Sequence, residues 1–257
     1  PHAYVRRQRQ MCIRDSDILT AEEVVKHHDE VEAAKLKELQ TWAQFKCFSR
    51  RPKTGARNVI DCRWVLKWKH EFDAVGIDSK DAAKSRRVIR ARLTVRGFKD
   101  LEKHLIDRYA GTSQRYSQRV LVSVAVTNKW PIATTDISKA FLQGVTYEEL
   151  HRLTGEPIRE VNFYLPSSSV SALQKVEGFA DFNPNTEVLH CDKPGTGSVD
   201  APRCFSMKLA LCTEQIGMKQ SSVDPELCFL HDKGKLVCLL TKHVDDLKIT
   251  GPREWVE

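Results

Sequence analysis

Leu236-Val-Cys-Leu-Leu-Thr-Lys-His-Val-Asp-Asp-Leu-Lys-Ile-Thr-Gly251 is the stretch on which the fold turns. Its apolar run, Leu236 to Leu240, reads as a buried strand. Leu247 and Ile249, alternating with Lys248 and Thr250, read as a second strand with one buried face. Between them stand Asp245 and Asp246, so the pattern predicts a hairpin with two carboxylates at its bend. Asp is common in turns because its side chain bonds the local backbone, so the pair alone is equally a solvated hairpin tip. A partner for it has to come from elsewhere in the chain.

Working outward, Ala133 to Asp136 reads as a short strand with Asp136 at its end and a turn after it. If this strand and the hairpin are neighbours in one sheet, Asp136, Asp245 and Asp246 converge. Clustered carboxylates repel one another unless cations neutralise them, and Mg²⁺ takes hard oxygen ligands shared with substrate phosphates. Two such ions about 4 Å apart suit phosphoryl transfer. Spacing alone does not separate a polymerase from a nuclease.

Lys84 to Lys99 holds seven basic residues and no acid. Within it Ile89, Ala91, Leu93 and Val95 alternate with Arg90, Arg92 and Thr94, and Arg96 continues the polar side. This is a strand with one buried face and one guanidinium-lined face. Such a face is either solvated or suited to bidentate phosphate contact. Val59 to Lys69, rich in Val, Ile and Trp, reads as another strand. The mostly apolar run Val120 to Val126 ends at Asn128.

Asp17 to Phe45 reads as helical. Thr20 and Glu23 form a capping-box signature, and Val24, His28, Val31, Leu39 and Trp42 fall near one face. His27 and His28 point about 100° apart on a helix and cannot chelate well as a pair. Pro52 and Gly55 break the chain between Arg50 and Asn58. The stretch from Leu165 to Pro194, rich in Ser, Asn, Gly and Pro, reads as loops. Gly195 and Gly197 lack the Gly-Lys-Ser/Thr ending of a phosphate loop. Pro202 is placed to start a helix running to Gly217, and Asp224-Pro225 breaks the chain before the hairpin.

The 257 residues, 41% hydrophobic and 29% charged, suit a folded chain with an ample core. No apolar run approaches the roughly 20 residues of a membrane span, and no secretory signal is visible, so no membrane partner is expected. The eight cysteines form no Cys-x-x-Cys pair. Several lie in apolar runs, as reduced core thiols of an intracellular protein would. The net charge of +7 favours a polyanionic partner. Arg6 to Ser16 resembles an in-frame translation of a transposase-based sequencing adaptor, so residues 1–16 are set apart as an unstructured artefact. That segment's four arginines and one aspartate leave +4 for the remainder.

From Glu32 onward the chain resembles the reverse transcriptase of a copia-type LTR retrotransposon Pol polyprotein. Six segments carry the resemblance, in the family's order. They are Asn58-Val-Ile-Asp-Cys-Arg-Trp-Val-Leu-Lys-Trp-Lys69, Arg90-Ala-Arg-Leu-Thr-Val-Arg-Gly-Phe98, Asp136-Ile-Ser-Lys-Ala-Phe-Leu-Gln-Gly144, Asp200-Ala-Pro-Arg203, Ser222-Val-Asp-Pro-Glu-Leu-Cys-Phe229 and Val244-Asp-Asp-Leu-Lys-Ile-Thr-Gly251. The resemblance implies an α/β (α+β) fingers–palm fold, with an antiparallel palm sheet packed on helices. Residues 17–50 would form an N-terminal helical segment, and residues 51–257 the fingers and a partial palm. The sequence ends eleven residues after Asp246, so a fragment truncated before the thumb is expected, inactive alone.

The resemblance further implies an RNA-directed DNA polymerase using two Mg²⁺ ions, with Mn²⁺ as a substitute. Asp136, Asp245 and Asp246 would be the catalytic and metal-binding carboxylates, joined by the backbone of Ile137. Arg90, Arg92, Lys139, Ala140 and Phe141 would meet the incoming dNTP, Phe141 beneath its sugar. Arg96 and Arg203 would contact nucleic acid. Implied partners are an RNA template, a DNA primer, dNTPs and the integrase and RNase H domains of the polyprotein. The implied location is cytoplasmic, in the element's virus-like particle. Two positions depart from the family: His243 stands where Tyr is usual, and Asp200 where Gln is usual. The alternative reading is a catalytically inactive remnant that only binds nucleic acid.

Overall fold

A computed structural model describes residues 17–72 and 85–256. The adaptor-like stretch 1–16 and Lys84 of the basic strand lie outside the described residues. Two five-stranded sheets and a set of helices make up the described chain, in the expected α+β class.

The first sheet has the order β1-β6-β5-β2-β3, from β1 (Phe48–Pro52), β2 (Val59–Phe72), β3 (Ser85–Val95), β5 (Asn162–Tyr164) and β6 (Glu187–Cys191). Its pairings are antiparallel except for the parallel pair of β2 and β5. Helices α1 (Ala21–Lys26) and α2 (His28–Gln44) precede it. The capping box of Thr20 and Glu23 forms, with both reciprocal bonds present. The stretch read as helical, 17–45, is divided at His27, whose backbone leaves the helical region at φ −109° and ψ 37°. There its ring packs edge-on against Trp68, with centroids 5.1 Å apart, a contact across the fold that helical periodicity does not encode.

Helix α2 buries Val31, Leu39 and Trp42. Trp42, Phe48, Phe163 and Phe179 form an aromatic chain at the centre of the larger core, with ring centroids 5.2–6.3 Å apart. The Trp42 ring explains Gly195, because a Cβ there would collide with it. Gly197, at φ +94°, likewise lies against the Val95 carbonyl, and Thr196 accepts from the Val95 N–H at 2.9 Å. The glycine pair is therefore a packing device, Gly195 against α2 and Gly197 against β3.

The reading of 165–194 as loops needs correction. A short helix, α5 (Val170–Leu173), lies within it, and β6 sits between β1 and β5 with Val188, Leu189 and Cys191 fully buried. Five residues flanked by Asn, Pro and Gly are too short to show a period. The segment is strand because both neighbours supply backbone partners.

The second sheet has the order β4-β10-β9-β8-β7, all antiparallel: β4 (Ile132–Asp136), β7 (Lys219–Gln220), β8 (Leu227–Asp232), β9 (Lys235–His243) and β10 (Asp246–Thr250). One face packs a small core of Met218, Cys228, Cys238 and Leu240 with Leu247 and Ile249. Helix α3 (Arg115–Asn128) lies against β9 and β10 and buries Leu121 and Ala125. Between the sheets in sequence run α4 (Tyr147–Thr154) and α6 (Ala201–Gln215), the latter starting with the expected proline. A last turn of helix, α7 (Arg253–Val256), closes the described chain. Among the described residues six cysteines (47, 62, 191, 204, 228 and 238) are buried and free. Burial pushes the thiols of Cys47 and Cys62 up to about 12.

Candidate functional site

The hairpin forms where the alternation puts it. β9 and β10 are joined by the two residues Val244 and Asp245, with His243 and Asp246 as the closing pair. β4 lies on the far side of β10 and ends at Asp136, which stands directly opposite Asp246. The Ile137 N–H donates to the Asp245 carbonyl at 2.9 Å, fastening the turn after β4 to the hairpin tip. Directly opposed residues share a sheet face with Cβ atoms about 5 Å apart. His243, Asp246 and Asp136 thus form one row across three strands, and all three are exposed.

Two like charges placed opposite each other destabilise a sheet. A divalent cation removes that cost, and the carboxylate oxygens are the hard donors such a cation takes. Asp245 is half-buried on the turn, one residue out of the row. Among the described residues no group of three or more His, Cys, Asp or Glu side chains is drawn together as a ready ligand cluster. The donor chemistry fits a hard divalent ion, and the backbone brings the three aspartates to one end of one sheet.

The hairpin is braced from behind. The Ser113 N–H donates to the Lys242 carbonyl at 2.9 Å, and Thr112 bridges His243, so residues just ahead of α3 line the last turn of β9. Asp224 ties this segment down. It accepts from the Gln114 N–H at 2.9 Å, the Glu226 N–H at 3.1 Å and the Ser117 hydroxyl. Burial pushes its carboxyl up, but these donors outweigh burial and hold it below the usual range. Lys242 is buried, with its ammonium 3.2 Å from Glu226.

On the first sheet Arg90 and Arg92 are exposed, as the alternation requires, while Ala91, Leu93 and Val95 are buried. Register adds what was missed: Lys67 lies directly opposite Arg90, and Arg63 and Lys69 share that face. Their every-second-residue spacing in β2 was the available signal. Arg96 is paired with Asp61 at 3.0 Å, and Lys99 reaches the same carboxylate at 2.9 Å. Lys99, then Arg96, holds Asp61 below its ordinary range.

The remaining expected contacts turn inward. Lys139, in the left-handed region at φ 57°, is ion-paired with the buried Glu38 of α2. Ala140 is buried and Phe141 half-buried in the 3₁₀ turn Ala140–Gln143. Arg203 is largely buried and holds Glu156 through two bonds of 2.9 and 2.6 Å. Asp200 is wholly buried and paired with Arg159, so it faces no open pocket. Burial pushes its carboxyl up against the pull of Arg159.

Curated proteins supply the comparison. The chain is 24% identical over 201 residues to the retrovirus-related Pol polyprotein from transposon RE2 of Arabidopsis thaliana, covering 78% of this chain and 12% of that protein. It is 25% identical over 194 residues to the one from transposon RE1 of the same plant, covering 75% and 11%. For transposon TNT 1-94 of Nicotiana tabacum the figures are 24% over 197 residues, 76% and 12%. The chain is similar to copia-type retrotransposon Pol polyproteins. It spans about an eighth of the length of these relatives. No protein-family model matches the chain.

Proposed function

We propose that the chain is the fingers and partial palm of a reverse transcriptase: the first sheet is the fingers and the second the palm of an RNA-directed DNA polymerase. The observation that carries this reading is the cross-strand pair Asp136–Asp246, with Asp245 at the adjoining turn. The similarity to Pol polyproteins supports it. In the reaction a primer 3′-oxygen attacks the α-phosphate of a dNTP and pyrophosphate leaves. Bound Mg²⁺ or Mn²⁺, held by Asp136, Asp245, Asp246 and the Ile137 backbone, would stabilise charge on the attacking and leaving oxygens. The chain's own share is placement. Strand register fixes the carboxylates, and the cations of β2 and β3 offer the triphosphate and template a positive face.

Primer extension on an RNA template, by a longer chain continuing through a thumb, tests this. Asp136→Asn and Asp245→Asn should each abolish extension without lowering the melting temperature, since Asp136→Asn removes one of two opposed like charges. Near-normal turnover in either would remove the metal assignment.

One observation favours a second reading, a non-catalytic nucleic-acid binder. Arg63, Lys67, Lys69, Arg90 and Arg92 form an exposed cationic face with a like-charged pair directly opposed, a cost that a polyanion relieves. No extension by the longer chain, with salt-sensitive RNA binding retained, would select it.

A further inference from the structure

A cavity of about 340 Å³ opens beside the hairpin, lined by Gln118, Thr134, Thr241, His243, Asp246 and Lys248 among others. Register explains the lining. Thr134 opposes Lys248, which opposes Thr241, just as Asp136 opposes Asp246, which opposes His243. These two rows lie on the same sheet face, one step apart, and α3 hangs Gln118 over the inner row. The Gln118 carbonyl oxygen accepts from the Lys248 ammonium at 3.1 Å, while its amide nitrogen donates to the Ser113 hydroxyl at 3.0 Å.

Lys248 is half-buried, and among the described residues its ammonium has no carboxylate partner within ion-pair distance. A cation held in a cavity by a neutral amide, with two hydroxyls beside it, is built for one anionic charge plus hydrogen-bonding oxygens. A triphosphate does not suit it. Several negative charges would meet one ammonium and, in the same lining, the Asp246 carboxylate, whereas the cations of β2 and β3 lie on the other sheet. A single phosphodiester suits it in charge, and a sugar hydroxyl would then fall on the side of the aspartate row.

We propose that this cavity holds the last phosphodiester of the primer strand, with Lys248 as its counter-charge and Gln118 as the residue that positions Lys248. This rests on the polymerase reading above, and the assignment of Lys248 deepens it.

The test is fluorescence anisotropy of the full chain with a DNA primer on an RNA template, in EDTA and across a salt series. Lys248→Met is compared with wild type on a natural primer and on one whose final linkage is a neutral methylphosphonate. Either change alone should weaken binding by about three- to tenfold and lower the salt slope by about 0.9. Both together should weaken it no further than one, because they remove the same contact. Lys248→Arg should bind as wild type, and Gln118→Leu should fall between. Additive losses, or no loss from the methylphosphonate in wild type, would overturn the cavity assignment and leave the polymerase reading standing. The methylphosphonate arm needs no folded variant. Inorganic pyrophosphate binding that Lys248→Met abolishes while duplex binding persists would assign the cavity to a free anion and also overturn it. Failure of the wild type to bind the duplex at all would overturn the cavity assignment and leave the polymerase reading to the extension assay of the longer chain.

Discussion

Val244 carries the most telling backbone in the chain. It occupies the first position of the two-residue turn at φ 58°, where a β-branched side chain crowds the following carbonyl. Strain of this kind persists where the surroundings over-determine it. Here the turn is held by β4 through the Ile137–Asp245 bond and by the Thr112–Ser113 segment. Val244→Gly should therefore stabilise the chain by about 1 kcal/mol, the left-handed penalty less the extra entropy of glycine. Urea unfolding would show this as a higher midpoint with an unchanged slope. An unchanged or lower midpoint would mean the turn is not strained. The sequence revealed the turn but not this feature. Val-Asp is not the Asn-Gly pair that announces a positive φ, and strain imposed by neighbouring strands leaves no local signature. At the same scale His243 and Asp200, the two positions that differ from the copia-type pattern, separate. His243 stands in the row with Asp246 and Asp136, whereas Asp200 is buried away from it.

At the scale of elements, legibility followed periodicity. β3, β4, β9, β10, α2 and α6 were readable because alternation, apolar spacing or a leading proline marked them. β6 and the break at His27 were not, because each depends on partners more than a few residues away. The carboxylate constellation was half legible: strand ends placed all three aspartates, but only register shows that Asp136 faces Asp246 rather than Asp245. The brace behind the hairpin was not legible at all, since Asp224 reads as a chain break. Its three donors give it a testable role. A carboxyl held below its unfolded range contributes stability above about pH 4 and loses it as pH falls through the folded value. Asp224→Asn keeps one acceptor oxygen but forfeits the charge, so it should cost about 1–3 kcal/mol at pH 7. The gap to wild type should close as pH is lowered below 4. Unfolding free energies at pH 7, 5 and 3.5 would decide it, and a gap that stays constant would show that the charge of Asp224 contributes nothing.

Across the whole molecule, Arg159 is where separate parts of the chain meet. Its guanidinium is ion-paired with Asp100, which follows β3, and with Asp200, which opens α6, and it lies 3.4 Å from the Tyr147 hydroxyl of α4 and from Glu102. Asn58, ahead of β2, donates to the other Asp100 oxygen at 3.0 Å. One buried cation thus serves two buried carboxylates, and the two are not equivalent. Asp100 has further donors in Asn58 and the Glu102 N–H, whereas the second oxygen of Asp200 is buried with no hydrogen-bond partner among the described residues. Removing the cation strands both carboxylates, so Arg159→Met should cost about 3–5 kcal/mol. Removing Asp200 leaves Arg159 its bond to Asp100, so Asp200→Asn should cost clearly less. The pH dependence separates this from a simple packing loss. The Asp200 carboxyl is pushed up by burial, so ionising it opposes folding. The wild type then loses stability from this group as pH rises from about 4 through the raised value. Asp200→Asn lacks that loss, and its deficit relative to wild type should shrink between pH 4 and pH 8. Urea titrations of the three proteins at both values would measure it. A deficit for Asp200→Asn that widens with pH would mean that Arg159 favours the ionised carboxylate more than burial opposes it, reversing the balance assigned to this junction.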